Sequence, residues 1–153
     1  MTCEAIAAAS LLWIASWSGE AAAPPAPAHA AAPASPLVNE PLFADIIARA
    51  GDLNGRVQAW RGRPIAAADL AALKRDAGAL AELDMKAHLV LKERGTDGDL
   101  KCILRGISED LPVKLQAVEA AKDGPARDAA LTDLGYLLRD NVEVITAPPA
   151  PPV

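Results

Sequence analysis

The stretch DLAALKRDAGALAELDMKAHLVLKER, residues 69–94, carries the clearest helical period in the chain. Its apolar residues recur at steps of three and four, so they fall on one broad face of a helix. Alanine, leucine, lysine, arginine and glutamate dominate the stretch, and all are strong helix formers. It is therefore predicted to be an amphipathic helix that packs against a core. The apolar face comprises Leu70, Leu73, Ala77, Leu80, Ala81, Ala87 and Leu91.

Two polar residues, Asp84 and His88, interrupt this apolar face. They are four residues apart, so their side chains are neighbours on the helix. Burying an unpaired polar group costs about 1–3 kcal/mol, so the pair needs partners. In a structural interpretation, Asp84 accepts a hydrogen bond from His88, or the helix rolls enough to expose both. In a functional interpretation, His88 binds a metal or small ligand that Asp84 helps to hold, and a third interpretation is a pH-sensitive interface.

Three further segments show the same helical pattern, separated by turns rich in glycine and proline. Pro112 lies inside the second of them and predicts a kink near residues 108–112. The chain has one Phe and one Tyr and no alternating run of strand length, which favours helices over sheet. The predicted fold class is all-α, an antiparallel up-down-up-down four-helix bundle. The alternative is a three-helix body with the first helix packed across it. The three segments are 41–61, 99–122 and about 125–145.

The first 39 residues differ in composition from the helical segments. Residues 5–17, AIAAASLLWIASW, form an apolar run that is too short to span a membrane and is typical of a secretory signal. Cleavage is expected after Ala30, although MTCE at the start lacks the usual positive charge. The alternative is an uncleaved, disordered Ala-rich leader. The expected organisation is a leader (1–30), an Ala/Pro linker (31–39), the helical bundle (40–146) and a flexible Pro-rich tail (147–153).

Cys102 becomes the one remaining cysteine if the leader is removed, because Cys3 lies in the leader. On the third helix it projects nearly opposite Leu100 and Leu104, which predicts exposure. A shifted helix boundary or the proline kink could instead turn it inward, since cysteine is usually buried. A lone exposed thiol in an oxidising compartment suggests an intermolecular disulfide.

The net charge and the absence of known sequence motifs argue against nucleic-acid binding and against catalysis. The formal net charge is −5, and no basic stripe interleaved with aromatic residues occurs, so nucleic acid is not an expected partner. The sequence contains no CxxC, CxxCH, HExxH or Gly-rich phosphate motif, and no nucleophile, base and acid at recognisable spacing. We therefore expect a protein that is not an enzyme.

In layout the chain resembles the exported four-helix bundles of the cytochrome b562 and cytochrome c′ type. The likeness covers about residues 40–145, with a signal-like leader, four helices and the connection AKDGPARDA between the last two. It implies the bundle fold and an exported compartment. It does not extend to haem: the b-type ligands would be a Met early in the first helix and a His late in the fourth, and the c-type members need CxxCH. Met85 and His88, three apart on one helix, cannot clamp haem from both sides, so no cofactor is expected.

These observations predict a small bacterial protein, periplasmic or secreted, that acts by binding a protein partner or a second copy of itself. No membrane span is expected in the mature chain. The alternative function is a metal- or small-ligand-binding bundle that uses Asp84 and His88 with Asn141 or Asp110 from facing helices.

Overall fold

The computed structural model describes residues 35–95 and 98–147. Within these ranges the chain is all-helical and contains no strand. The boundaries agree with the predicted helices to within two residues, which confirms the four-helix, all-α fold class. The predicted leader and most of the Pro-rich tail lie outside the described residues. The helices are α1 (Pro41–Trp60), α2 (Ala67–Arg94), α3 (Gly98–Ala120) and α4 (Gly124–Thr146).

Local signals explain where the helices begin and end. Asp123 caps α4, because its Oδ1 accepts a hydrogen bond from the backbone N–H of Ala126 at 2.8 Å. Pro125 occupies the first turn of that helix, where its missing N–H costs nothing. Gly95 ends α2 with a φ of 64°, a left-handed conformation that glycine adopts without strain.

The four helices pack as neighbours in the order α1, α2, α3, α4 and back to α1. The diagonal pairs, α1 with α3 and α2 with α4, make no close backbone approach within the described ranges. Arg94 at the end of α2 donates two hydrogen bonds, of 2.9 and 2.8 Å, to Glu40 just before α1. Lys74 near the start of α2 lies 3.0 Å from Glu119 near the end of α3. These contacts join opposite ends of neighbouring helices, as the packing of a bundle requires.

Aliphatic side chains fill the space between the helices. Leu80, Leu111 and Leu138, on three different helices, are all 0 % exposed, and Phe43 provides the aromatic part of the core. Each fully buried leucine contributes about 1.5–3 kcal/mol through removal of apolar surface from water. Among the described residues, no helix is both long and apolar enough to cross a membrane.

The segment before α1 differs from the sequence-based expectation. Residues 36–39 were assigned to the linker, whereas the structure places Pro36–Asn39 in a short 3-10 helix. Leu37 packs against the core, and the Ser35 hydroxyl accepts a hydrogen bond from the Leu37 N–H at 3.3 Å. The Ser35 N–H also donates to the carbonyl of Thr146 at 3.3 Å. The apolar Leu37 and the capping Ser35 therefore fix this turn to the end of α4.

Pro112 lies inside α3, which continues as one α-helix on both sides of it. The residue is on the exposed side of the helix. Since proline has no N–H, the carbonyl of Ser108 cannot receive its usual hydrogen bond from four residues ahead. The predicted kink at this position stays a prediction.

We expect Leu80→Ala to lower the free energy of unfolding by about 2–5 kcal/mol, because it leaves a cavity in the core. The matched control is Leu89→Ala on the same helix, since Leu89 is 48 % exposed and should change stability by less than about 0.5 kcal/mol. Urea unfolding followed by circular dichroism measures both. Equal losses in the two variants would contradict the orientation of α2 described here.

Candidate functional site

Asp84 of α2 and Asn141 of α4 form a polar pair inside the core. Both residues are 0 % exposed. The Asn141 Nδ2 donates a hydrogen bond to Asp84 Oδ2 at 2.9 Å. Since α2 and α4 lie diagonally opposite each other in the bundle, this bond crosses its centre. From sequence, Asp84 interrupts an apolar face and Asn141 belongs to a facing helix, and the structure brings the two together.

Two oxygen atoms of the pair have no hydrogen-bond partner when Asp84 is a carboxylate. Asp84 Oδ1 and Asn141 Oδ1 are both buried and have no hydrogen-bond partner. Burial raises the pKa of Asp84 from 3.8 to about 7, and the hydrogen bond from Asn141 opposes this rise. Burial is the larger effect because removing a carboxylate from water disfavours its charged form.

His88 is half-buried one turn further along α2 and bonds to a different helix. Its Nδ1 lies 2.7 Å from the carbonyl oxygen of Lys101 on α3. A carbonyl can only accept, so Nδ1 carries the proton in this contact. Asp84 and His88, which the sequence predicted as mutual partners or joint ligands, thus make their hydrogen bonds to α4 and α3 respectively.

The geometry gives little support to a metal centre at these residues. In the described ranges, no group of three or more His, Cys, Asp or Glu side chains could hold a metal ion. Of the two further ligands considered from sequence, Asn141 reaches Asp84, whereas Asp110 is exposed on α3. The arrangement favours an internal hydrogen-bonded pair over a coordination site.

Cys102 is a free thiol on the exposed side of α3. The predicted exposure is therefore confirmed, and the inward orientation that a shifted boundary would cause does not occur. An intermolecular disulfide through this residue stays a prediction.

An open groove of about 400 Å³ lies between α2 and α3. The groove is open at Gly78, which has no side chain. Nothing lies within 4 Å of where the Cβ of this residue would be. Gln116, one of its lining residues, is exposed. Sequence analysis missed this surface, although a glycine and a proline inside two helices were its signal. The groove, called the α2–α3 groove below, is lined by Lys74, Gly78, Pro112, Leu115, Gln116 and Glu119.

No protein-family model, curated protein or solved structure matches the chain. The resemblance to exported cytochrome-type bundles therefore remains one of layout, with which the four-helix, all-α fold is compatible.

The substitution Asn141→Leu tests the polar pair, because leucine has the same number of heavy atoms but cannot donate to Asp84. We expect it to lower the free energy of unfolding by about 1–3 kcal/mol, the cost of an unsatisfied buried polar group. Asp84→Leu should have a similar cost. The double variant should recover most of the loss, since both polar groups are then absent.

A double-mutant cycle based on urea unfolding at pH 7.5 provides the measurement. Strictly additive losses in the double variant would show that the two side chains do not interact.

Proposed function

We propose that the protein is a small, exported, non-catalytic interaction module that binds a partner polypeptide in the α2–α3 groove. The observation that carries this proposal is the groove itself, a concave surface between two helices that the apolar residues Pro112 and Leu115 help to line. Exposed apolar surface next to a concavity is typical of protein-binding sites.

The groove combines a hollow with an apolar base. Leu115 is buried beneath it, and Pro112 adds an exposed ring with no backbone N–H to solvate. Gly78 opens the α2 side by lacking a side chain. A volume of about 400 Å³ is enough for one or two apolar side chains of a partner.

Charge helps to define the partner. Lys74 and Glu119 line the groove and form an ion pair at 3.0 Å, so the groove itself has no strong charge of either sign. The chain as a whole has a formal net charge of −5, which opposes association with a second copy. A neutral or basic polypeptide that presents apolar side chains fits these conditions better.

The architecture and the compartment in this proposal rest on two further observations. Ion pairs that join opposite ends of successive helices support an antiparallel, up-down-up-down order. The apolar run at residues 5–17, followed by small residues at 28–30, supports export to the periplasm or the medium.

A photo-crosslinking residue in place of Gln116, an exposed residue of the groove, tests the groove in cells that produce the protein. We expect a discrete adduct of higher mass from this position. The same residue in place of Tyr136 on α4 should give none, although Tyr136 is also exposed. Gly78→Gln should fill the groove and reduce adduct yield by roughly tenfold, the effect of a loss of about 1.4 kcal/mol in binding.

Gly51→Gln on α1 is the matched control, because Gly51 is also an exposed helical glycine with open space around its Cβ position. Adduct yield should be unchanged in this variant. Equal yields from positions 116 and 136, or equal effects of the two glycine substitutions, would contradict the proposal. An adduct of twice the chain mass would identify a second copy as the occupant and overturn the assignment to a different partner.

A second candidate function is a homodimer linked through Cys102, which the exposure of this free thiol favours. Native mass spectrometry without reductant, on protein from its own compartment, should then detect twice the mass of residues 31–153. The doubled mass should disappear with reductant and in Cys102→Ser. A monomer of residues 31–153 would exclude the disulfide dimer, and an intact Met1 in exported material would exclude the proposed cleavage.

A further inference from the structure

Two buried oxygen atoms in the centre of the bundle have no hydrogen-bond donor. Asp84 Oδ1 and Asn141 Oδ1 belong to the same hydrogen-bonded pair, and both are inaccessible to solvent. A buried acceptor without a donor costs about 1–3 kcal/mol. Two such acceptors on one pair indicate that the pair takes up a further group that can donate.

The chemistry of the pair decides which group fits. A hard cation such as Ca²⁺ or Mg²⁺ takes six or more oxygen ligands, and in the described part of the chain no cluster of three or more acidic, His or Cys side chains exists. Asn141 cannot provide a second donor to the pair without rotating its amide, which would break the 2.9 Å bond it already makes. A single hydrogen placed between the two free oxygens satisfies both.

We infer that Asp84 and Asn141 form a buried proton-binding site, in which Asp84 Oδ1–H donates to Asn141 Oδ1 while Asn141 Nδ2–H donates to Asp84 Oδ2. The pair then forms a ring closed by two hydrogen bonds, and all its buried oxygens are satisfied. The core holds a neutral acid and a neutral amide, so no isolated charge is buried.

Charged groups around Asp84 do not offer an alternative partner. On α2, the half-buried His88 bonds to the Lys101 carbonyl of α3. One exposed arginine on each of the other three helices is paired with a carboxylate one turn away on its own helix. These pairs are Arg49 with Asp45 on α1, Arg105 with Glu109 on α3 and Arg139 with Glu143 on α4.

The site makes folding stability depend on pH. The pKa of Asp84 is about 7 in the folded chain and 3.8 for the unperturbed group. Between these values the folded protein holds a proton that the unfolded chain has lost, so stability falls as pH rises. The unfolding equilibrium constant should increase up to tenfold per pH unit across this window, and the effect should be complete above about pH 7.

Asp84→Asn tests the site, because an amide can donate to Asn141 Oδ1 and accept from Asn141 Nδ2 without binding a proton. Urea unfolding from pH 4.5 to 8.5 should show a steeper loss of stability in the wild type than in this variant. Every titratable group other than Asp84 is present in both proteins, so the difference between the two profiles isolates Asp84. Asp110→Asn, at an exposed aspartate on the neighbouring helix, should retain the wild-type profile.

A second measurement does not depend on the stability of any variant. The carboxyl ¹³C signal of Asp84, observed in the wild type with labelled aspartate, should titrate near pH 7. A midpoint close to 4 would overturn the inference, because the carboxylate would then be charged in the folded core. Parallel stability profiles for the wild type and Asp84→Asn would overturn it as well.

Discussion

The burial of the Asp84–Asn141 pair in a largely apolar core constrains this bundle more than any other contact. Leucine and alanine faces pack in many similar ways, because dispersion and burial have little directional preference. By contrast, the 2.9 Å hydrogen bond between Asp84 and Asn141 requires one relative position of the two side chains. Rotating or sliding either helix by one residue would leave both side chains unsatisfied in the core. The pair therefore selects one register for two helices that otherwise lie apart, and this role is well established for buried polar residues in coiled coils.

Much of the architecture is readable from local sequence. The helical period of residues 69–94 and the turn residues at Gly95 and Pro125 set boundaries that differ from the structure by at most two positions. Asp84 and Asn141 are each visible as a polar interruption of an apolar face. Their pairing is not, because they are 57 residues apart and belong to diagonal helices. A helical wheel of one segment shows which face is buried, but it does not show which residues form hydrogen bonds across the core.

Other features depend on how neighbouring helices meet. The neighbours of His88 on its own helix suggested Asp84 as its partner, but the packing of α2 on α3 presents the Lys101 carbonyl instead. The α2–α3 groove likewise needs Gly78 and Pro112 to face each other from separate helices. Leu37 belongs to a proline-rich stretch that composition assigns to a linker, yet one apolar side chain beside an open edge of the core is enough to anchor it.

The missing N–H of Pro112 has a mechanical consequence for the groove. It removes one hydrogen bond from α3, the one to the Ser108 carbonyl, although the helix continues on both sides of Pro112. Local opening in proteins is easier where backbone hydrogen bonds are fewer, so the turn between Ser108 and Pro112 can adjust at a lower cost than an intact helical turn. A group that binds at Pro112 contacts this turn directly, while the Lys74–Glu119 ion pair and the His88–Lys101 hydrogen bond hold α3 to α2 on either side of it. The groove can therefore change its width as a partner binds, while the Asp84–Asn141 pair keeps the helices in register.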